Sequence, residues 1–236
     1  MKFSNIMKAY LKVASYNMKI IFSGKFIWFL IVGLLLFGFL MFSSAYEGSP
    51  LNEGVIYSQL MIPALLLVFY PASFGIQNDA DNRILEILFG IPNYMYKVWL
   101  FRLFMIYIEV YFILVVYALL ASLLLFQTNP FEMAAQLMVP VMLFGNLAFF
   151  YSTITRNGNA TAVLIILTSI LLLILSNTLL RNKYWSVVIN PFDLPENIHS
   201  SVWEITLIKN RLMMIIAGII FLMSGLLNLQ KREKFL

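Results

Sequence analysis

One strongly polar stretch, from Asp79 to Arg102, interrupts an otherwise apolar chain. In its first half, side chains of both charge signs fall at helical spacing on one face and apolar side chains on the other. Asn78 or Asp79 can cap such a helix, Asp79 and Arg83 lie one turn apart in the favourable acid-first order, and Gly90-Ile91-Pro92 ends it. The residues predicted to dock a partner are Asp79, Asp81, Asn82, Arg83, Glu86, Leu88 and Pro92. A helix that only lies on the lipid surface is the alternative.

Glu109 is an ionisable residue inside a long apolar run, two helical turns after Arg102. A charge near the centre of a bilayer costs roughly 2.5–3.5 kcal/mol, so such a residue usually faces a partner or a wet cavity. The polar residues on other runs that could meet it are Tyr57, Gln59, Asn146 and Asn177. We expect Glu109, Asn146 and Asn177 to contribute either to a translocation path or to polar contacts between helices. The alternative is that Glu109 lies near a wetted edge or is protonated.

The sequence lacks the motifs of an enzyme that carries its own chemistry. It has no G-x-x-x-x-G-K-[ST] phosphate loop, no Gly-x-Ser-x-Gly and no cysteine. The single His199 has no cysteine or histidine partner for a zinc site, and it is predicted to be an ordinary polar loop residue. No cofactor, metal or nucleic-acid site is expected in this chain.

Composition predicts an all-α polytopic membrane protein. Some 61% of the 236 residues are hydrophobic and 11% are charged, which is too apolar for a surface in water. A helical span needs about 20 apolar residues, and the apolar runs lack the two-residue alternation of barrel strands. Six stretches qualify as spans: 26–42, 55–75, 98–126, 133–151, 161–180 and 212–229. The chain therefore forms a single transmembrane domain, residues 1–236.

The distribution of cations predicts that both termini are cytosolic. With that orientation only Arg181, Lys183, Lys209 and Arg211 of the 16 Lys and Arg lie outside, as the positive-inside rule requires. The cations placed inside are Lys2, Lys8, Lys12, Lys19, Lys25, Arg83, Lys97, Arg102, Arg156, Lys231, Arg232 and Lys234. The net charge of +5 reflects this asymmetry and favours attraction of the chain to anionic lipid.

Two segments outside the spans have helical patterns of their own. Residues 1–25 contain an apolar stripe opposite lysines, which predicts an amphipathic helix in the cytoplasmic interface and no cleavable signal peptide. A disordered basic tail is the alternative. The outer loop, 181–211, is apolar for a loop and is predicted to re-enter the membrane edge. A helical pattern resumes after Pro195, which suits a first helical turn.

The six-span plan and the polar loop 76–97 resemble the permease subunit of type-2 ABC exporters. In that family the loop carries an acidic residue, then Gly-Thr-x-Glu-x-Leu, a Pro six residues after the Glu, and a Lys ten residues further on. The matching positions are Asp79, Glu86, Leu88, Pro92 and Arg102, and the departures are Arg83 and Ile84 in place of Gly-Thr. Asn190-Pro191-Phe192 is similar to the family's Pro-Phe after the fifth span.

The resemblance implies a permease in the cytoplasmic membrane of a prokaryote. It would pair with a second, identical or related permease and with cytosolic ATPase subunits that bind ATP and Mg, and the helix from Asp79 to Gly90 would dock on the ATPase. The short, mixed-charge helix favours this docking over attraction to anionic lipid. A secondary transporter and a non-transporting scaffold or assembly factor are the alternatives. The substrate stays open.

Overall fold

The chain is a bundle of long helices. The computed structural model describes residues 26–46, 51–81, 94–178, 186–195 and 198–230, and within these ranges it has helices and no strand. The helices are α1 (Phe26–Tyr46), α2 (Glu53–Asp81), α3 (Phe101–Leu124), α4 (Pro130–Thr155), α5 (Gly158–Thr178) and α6 (Ser200–Leu229). A π-helical segment, Met95–Leu100, leads directly into α3. The predicted all-helical fold is confirmed for this part of the chain.

In the described ranges, six helices are long and apolar enough to cross a membrane. Apolar residues cover nearly all sides of each helix, and many of them remain exposed in the bundle. A helix with this pattern keeps its backbone hydrogen bonds internal and can face either protein or lipid. This architecture is that of a multi-pass membrane protein.

Helix α4 occupies the centre of the bundle. It packs against α2, α3, α5 and α6, and 67% of its most apolar window is buried. By contrast, 22% of the α1 window and 17% of the α5 window are buried, so these helices are peripheral. The bundle thus places polar residues of α4 in protein surroundings and leaves α1 and α5 largely exposed.

Local sequence explains the ends and bends of α4. Asn129 caps its start by accepting hydrogen bonds from the backbone N–H groups of Phe131 and Glu132, and Pro130 occupies the first turn, where a missing N–H costs nothing. The helix ends at Arg156, the one non-glycine residue with positive φ (55°) in the described backbone. That left-handed residue turns the chain sharply into α5.

Two helices begin or end away from the predicted positions. Helix α2 continues through Asp79 to Asp81, so the predicted helix start at Asn78 or Asp79 is wrong. Helix α6 begins at Ser200, well before the predicted span start at residue 212. His199, not Pro195, begins it: the His199 side chain accepts from the Ser201 N–H.

The helices alternate in direction and define two ends of the bundle. We call the end with Asp81, Tyr94, Arg156 and Leu229 the Asp81 end, and the end with Tyr46, Glu53, Pro130 and Ser200 the Ser200 end. The predicted interfacial helix in residues 1–25 lies outside the described residues. Most of the loop 76–97, namely residues 82–93, and residues 181–185 and 196–197 of the predicted outer loop also lie outside them.

Candidate functional site

A buried ion pair lies at the base of the loop 76–97. Arg102 Nη1 donates to Asp79 Oδ2 at 2.8 Å, and the two side chains are 7% and 3% exposed. Asp79 lies in the last turn of α2 and Arg102 in the first turn of α3. The pair therefore joins α2 and α3 at the helix ends that precede and follow residues 82–93.

The π-helical segment before α3 helps to position Arg102. Trp99 lies on this segment, buried, and the Arg102 guanidinium carbon is 4.8 Å from the centroid of the Trp99 ring. A guanidinium over an indole face gains a cation–π attraction that grows when water is excluded. Arg102 is thus held by a carboxylate and by an aromatic face. A π-helical turn is rare in proteins and frequently marks a functional position.

Further contacts attach the loop base to the other helices. The Tyr94 hydroxyl, in the last part of the loop 76–97, donates to the carbonyl of Leu229 at the end of α6. The Gln77 side chain, in the first part of the loop, accepts a 2.5 Å hydrogen bond from the backbone N–H of Gly158 at the start of α5. Both flanks of the loop are therefore bonded to helices other than α2 and α3.

Helix α4 is bonded to its neighbours at the same level. The Ser152 hydroxyl donates to the Ser73 carbonyl of α2 at 2.9 Å. The Asn228 side-chain amide of α6 donates to the Thr153 carbonyl at 2.8 Å. The Asp81 end is thus a connected polar layer in which α2 through α6 all take part.

The structure corrects the predicted role of Asp79. It is buried and paired with Arg102, so it does not contribute to an exposed docking face. Asp81 is exposed at the end of α2 and remains a docking candidate. The other predicted docking residues, Asn82, Arg83, Glu86, Leu88 and Pro92, lie outside the described residues, as does the predicted Asp79–Arg83 pair.

Glu109 is buried within α3 without the predicted partners. Neither of its carboxylate oxygens has a hydrogen-bond partner in the described part of the chain. Tyr57 accepts from Arg211, Gln59 donates to Ser44, and Asn146 accepts from Tyr107. Asn177 lies in the last turn of α5. The structure therefore does not bring Glu109 together with Tyr57, Gln59 or Asn146 by a hydrogen bond.

Asn146 instead forms an interior contact between α3 and α4. The Tyr107 hydroxyl donates to Asn146 Oδ1 at 2.6 Å, and both residues are buried. The neighbouring Gly145 allows this approach, because a methyl carbon there would lie 2.8 Å from both the Tyr107 hydroxyl and Val68 Cγ2. Gly145 is thus required by close packing among α2, α3 and α4.

Gly145→Ala should destabilise the bundle by about 1–3 kcal/mol, because the added methyl group overpacks a site bounded by Tyr107 and Val68. A lower thermal unfolding temperature in detergent would report this. Gly38→Ala is the matched control, since a methyl group at Gly38 of α1 would meet no atom within 4 Å. Equal unfolding temperatures for the two variants would contradict the packing role of Gly145.

Sequence reasoning did not single out Arg211, which is the centre of a polar cluster near the Ser200 end. Its guanidinium donates to Gln136 Oε1 at 3.2 Å, to the Tyr57 hydroxyl at 3.1 Å and to the Ile189 carbonyl at 3.5 Å. It also donates to Met214 Sδ at 3.8 Å, and all four acceptors are neutral. The signal available in the sequence was a cation inside a long helical pattern, two residues after Lys209.

The described residues offer no site for catalysis by a bound metal. No group of three His, Cys, Asp or Glu side chains in these ranges could hold a metal ion. A buried ion pair and a layer of hydrogen bonds connect the base of one loop to five helices. Such an arrangement can transmit movement from the loop to the helices. We therefore take the loop base, with Asp79, Trp99 and Arg102, as the candidate functional site.

The fold and this site define a multi-pass helical membrane protein in which a buried ion pair joins the two helices on either side of one loop. Comparisons of the chain with protein-family models, with curated proteins and with solved structures give no match. The resemblance to exporter permeases therefore rests on the sequence motifs.

Proposed function

We propose that the chain is the membrane-spanning permease subunit of an ATP-driven exporter. It would work with a second permease, identical or related, and with cytosolic ATPase subunits. The observation that supports this proposal most is the buried Asp79–Arg102 pair, because it reinforces the base of the one loop whose sequence predicts a docking helix. The two paired residues are also the first and last positions of the loop motif.

A reinforced base suits a loop that transmits force. A partner that moves residues 82–93 would act on both ends of the loop, and the ion pair makes α2 and α3 respond together. The Tyr94–Leu229 and Gln77–Gly158 hydrogen bonds extend this response to α6 and α5. Rigid-body movement of packed elements is a common way to couple a nucleotide-driven partner to a membrane path.

The charge pattern supports an orientation in which the Asp81 end faces the cytosol. Of the cations in the described part of the chain, Lys97, Arg102 and Arg156 lie at this end, and Lys209 and Arg211 lie toward the Ser200 end. An ATPase would meet the loop there. The chain has no phosphate loop, so ATP and Mg would be bound by the partner. We place the assembly in the cytoplasmic membrane of a prokaryote.

The proposal predicts that the purified chain hydrolyses no ATP by itself and is inactive in transport alone. Isolated from its own membrane, it should bring down a subunit with a phosphate-loop sequence, identified by mass spectrometry, and ATP hydrolysis should appear only in that complex. If a neighbouring gene encodes such an ATPase, its product is the partner to use for reconstitution. Robust ATP hydrolysis by the isolated chain, or coupled transport in liposomes without a partner, would overturn the proposal.

A secondary transporter is the second candidate, because Glu109 is a buried carboxyl group without a hydrogen-bond partner in the described part of the chain. Such groups serve in ion-coupled transporters. The measurement that would demonstrate this function is uptake or efflux driven by an ion gradient in liposomes that contain only this chain. A scaffold or assembly factor would show neither ATP-driven nor gradient-driven transport.

A further inference from the structure

A cavity near the Ser200 end combines one cation with two carboxylates. Its volume is about 700 Å³, and it lies between α4, α6 and the segment around Phe192. Arg211 and Gln136 line its interior, and the exposed Glu132 and Glu204 line its rim. In the described ranges no carboxylate lies within 4.0 Å of the Arg211 guanidinium. The cavity therefore presents a positive charge without a local counter-ion and, farther out, two negative charges.

The charges are ordered along the helix axis. Glu204 precedes Arg211 by two turns of α6, which places the carboxylate about 10 Å nearer to the Ser200 end. On α4, Glu132 precedes Gln136, which holds Arg211, by one turn. Arg211 itself is roughly 16 Å from the start of α6. About 27 Å of helix remains between Arg211 and Leu229. This length is close to the ~30 Å hydrocarbon thickness of a bilayer, so a span that ends at Leu229 puts Arg211 near the headgroup boundary.

An apolar groove continues from the cavity toward the membrane centre. It has a volume of about 460 Å³ and shares Ile208, Leu212 and Ile216 with the cavity before it reaches Ile220. Lys209 lines its outer end. From the membrane centre outward, α6 thus presents an apolar groove, then a cation, then carboxylates. A phospholipid with an amine-bearing headgroup has the complementary order of acyl chain, phosphate and ammonium.

We propose that this cavity binds one zwitterionic phospholipid of the phosphatidylethanolamine type. Arg211 receives the phosphate, which would supply the anionic partner that the guanidinium lacks within the described bundle. Glu132 and Glu204 receive the ammonium group, and an acyl chain occupies the groove along Leu212, Ile216 and Ile220. An anionic phospholipid without an amine would satisfy Arg211 but would leave the carboxylates opposite a neutral or negative headgroup. The site therefore selects the amine.

Native mass spectrometry of the detergent-solubilised chain, titrated with short-chain phosphatidylethanolamine or phosphatidylglycerol, tests this proposal. We expect one tightly bound phosphatidylethanolamine, with at least tenfold preference over phosphatidylglycerol. Glycerophosphoethanolamine, which has the headgroup without acyl chains, should bind at least tenfold more weakly. Equal binding of the two lipids by the unmodified chain would overturn the proposal, and so would binding of the chain-free headgroup as tight as that of the lipid.

Variants separate the two halves of the site. Arg211→Gln should weaken phosphatidylethanolamine binding at least tenfold, and Lys97→Gln, which removes an exposed cation at the Asp81 end, should leave it unchanged. The double variant Glu132→Gln with Glu204→Gln should abolish the preference for the amine while binding of phosphatidylglycerol persists. Both glutamates are exposed, so this variant stays informative even where Arg211→Gln impairs folding. An unchanged preference in the double variant would refute the assignment.

Discussion

Arg102→Met is expected to destabilise the protein by about 3–5 kcal/mol, because it leaves the buried Asp79 carboxylate without its counter-ion. The loss should appear as a large decrease in thermal unfolding temperature in detergent and as less chain in the membrane. Asp79→Asn should cost less, since the amide oxygen still accepts from Arg102 and the Trp99 ring still faces the guanidinium. Asp81→Asn is the control: Asp81 is exposed two residues away and should change stability by less than about 0.5 kcal/mol.

The double variant Asp79→Leu with Arg102→Met separates stability from coupling. Replacing both members of a buried ion pair by apolar residues is often neutral or stabilising. The pair here is not fully satisfied, because Arg102 Nε has no hydrogen-bond partner within the described chain. We therefore expect the double variant to recover most of the unfolding temperature but not transport. Full transport by the double variant would show that the ion pair does not serve coupling. A wild-type unfolding temperature for Arg102→Met would show that the ion pair does not stabilise the loop base.

Glu86→Lys is expected to abolish ATP-driven export and to release the ATPase, while the amount of chain in the membrane stays near that of the wild type. Glu86 is a motif position on the polar face predicted from the sequence. Charge reversal in a docked groove replaces an attraction by a repulsion, and breaking a buried charge pair at an interface costs about 2–5 kcal/mol. That loss weakens binding by more than about tenfold.

The measurements are export in cells, ATPase recovered with the purified chain, and membrane level by immunoblot. Asp193→Lys is the charge-matched control, because Asp193 is exposed near the Ser200 end and its reversal changes net charge equally. Its export and ATPase recovery should match the wild type. Normal export and normal ATPase recovery with Glu86→Lys would refute docking through this loop, and the reading of a helix that lies on lipid would replace it.

The spans were predictable from sequence because their signal is local. An uninterrupted apolar run of span length forms a helix in lipid or protein surroundings, because its backbone groups must hydrogen-bond within the run. Helices α1, α4 and α5 lie close to the predicted stretches 26–42, 133–151 and 161–180. The end of α2 was not predictable in the same way. The prediction assigns Asp79 and Asp81 to a separate helix that begins at Asn78 or Asp79. An α-helix continues until something stops it, and α2 meets no stop signal before Asp81.

The pairing of polar residues was the part that local pattern could not supply. Asp79 was paired in the prediction with Arg83, one turn away, and the structure pairs it with Arg102, 23 residues along the chain. Likewise, Asn146 was expected near Glu109 and contacts Tyr107 instead, on a different face of the same helix. Such choices depend on the rotation of each helix about its axis, which packing of neighbours sets and a single helical pattern leaves undetermined.

The central position of α4 has a consequence for synthesis. Helices α1 to α3 leave the ribosome first, yet Tyr107 finds its partner Asn146 only when α4 follows. At about 5–20 residues per second, the 26 residues of α4 take roughly 1–5 s to be made. During that interval the Asp79–Arg102 pair can form between α2 and α3, but Tyr107 lacks its native partner. The native pairing of Tyr107 therefore waits for the synthesis of α4.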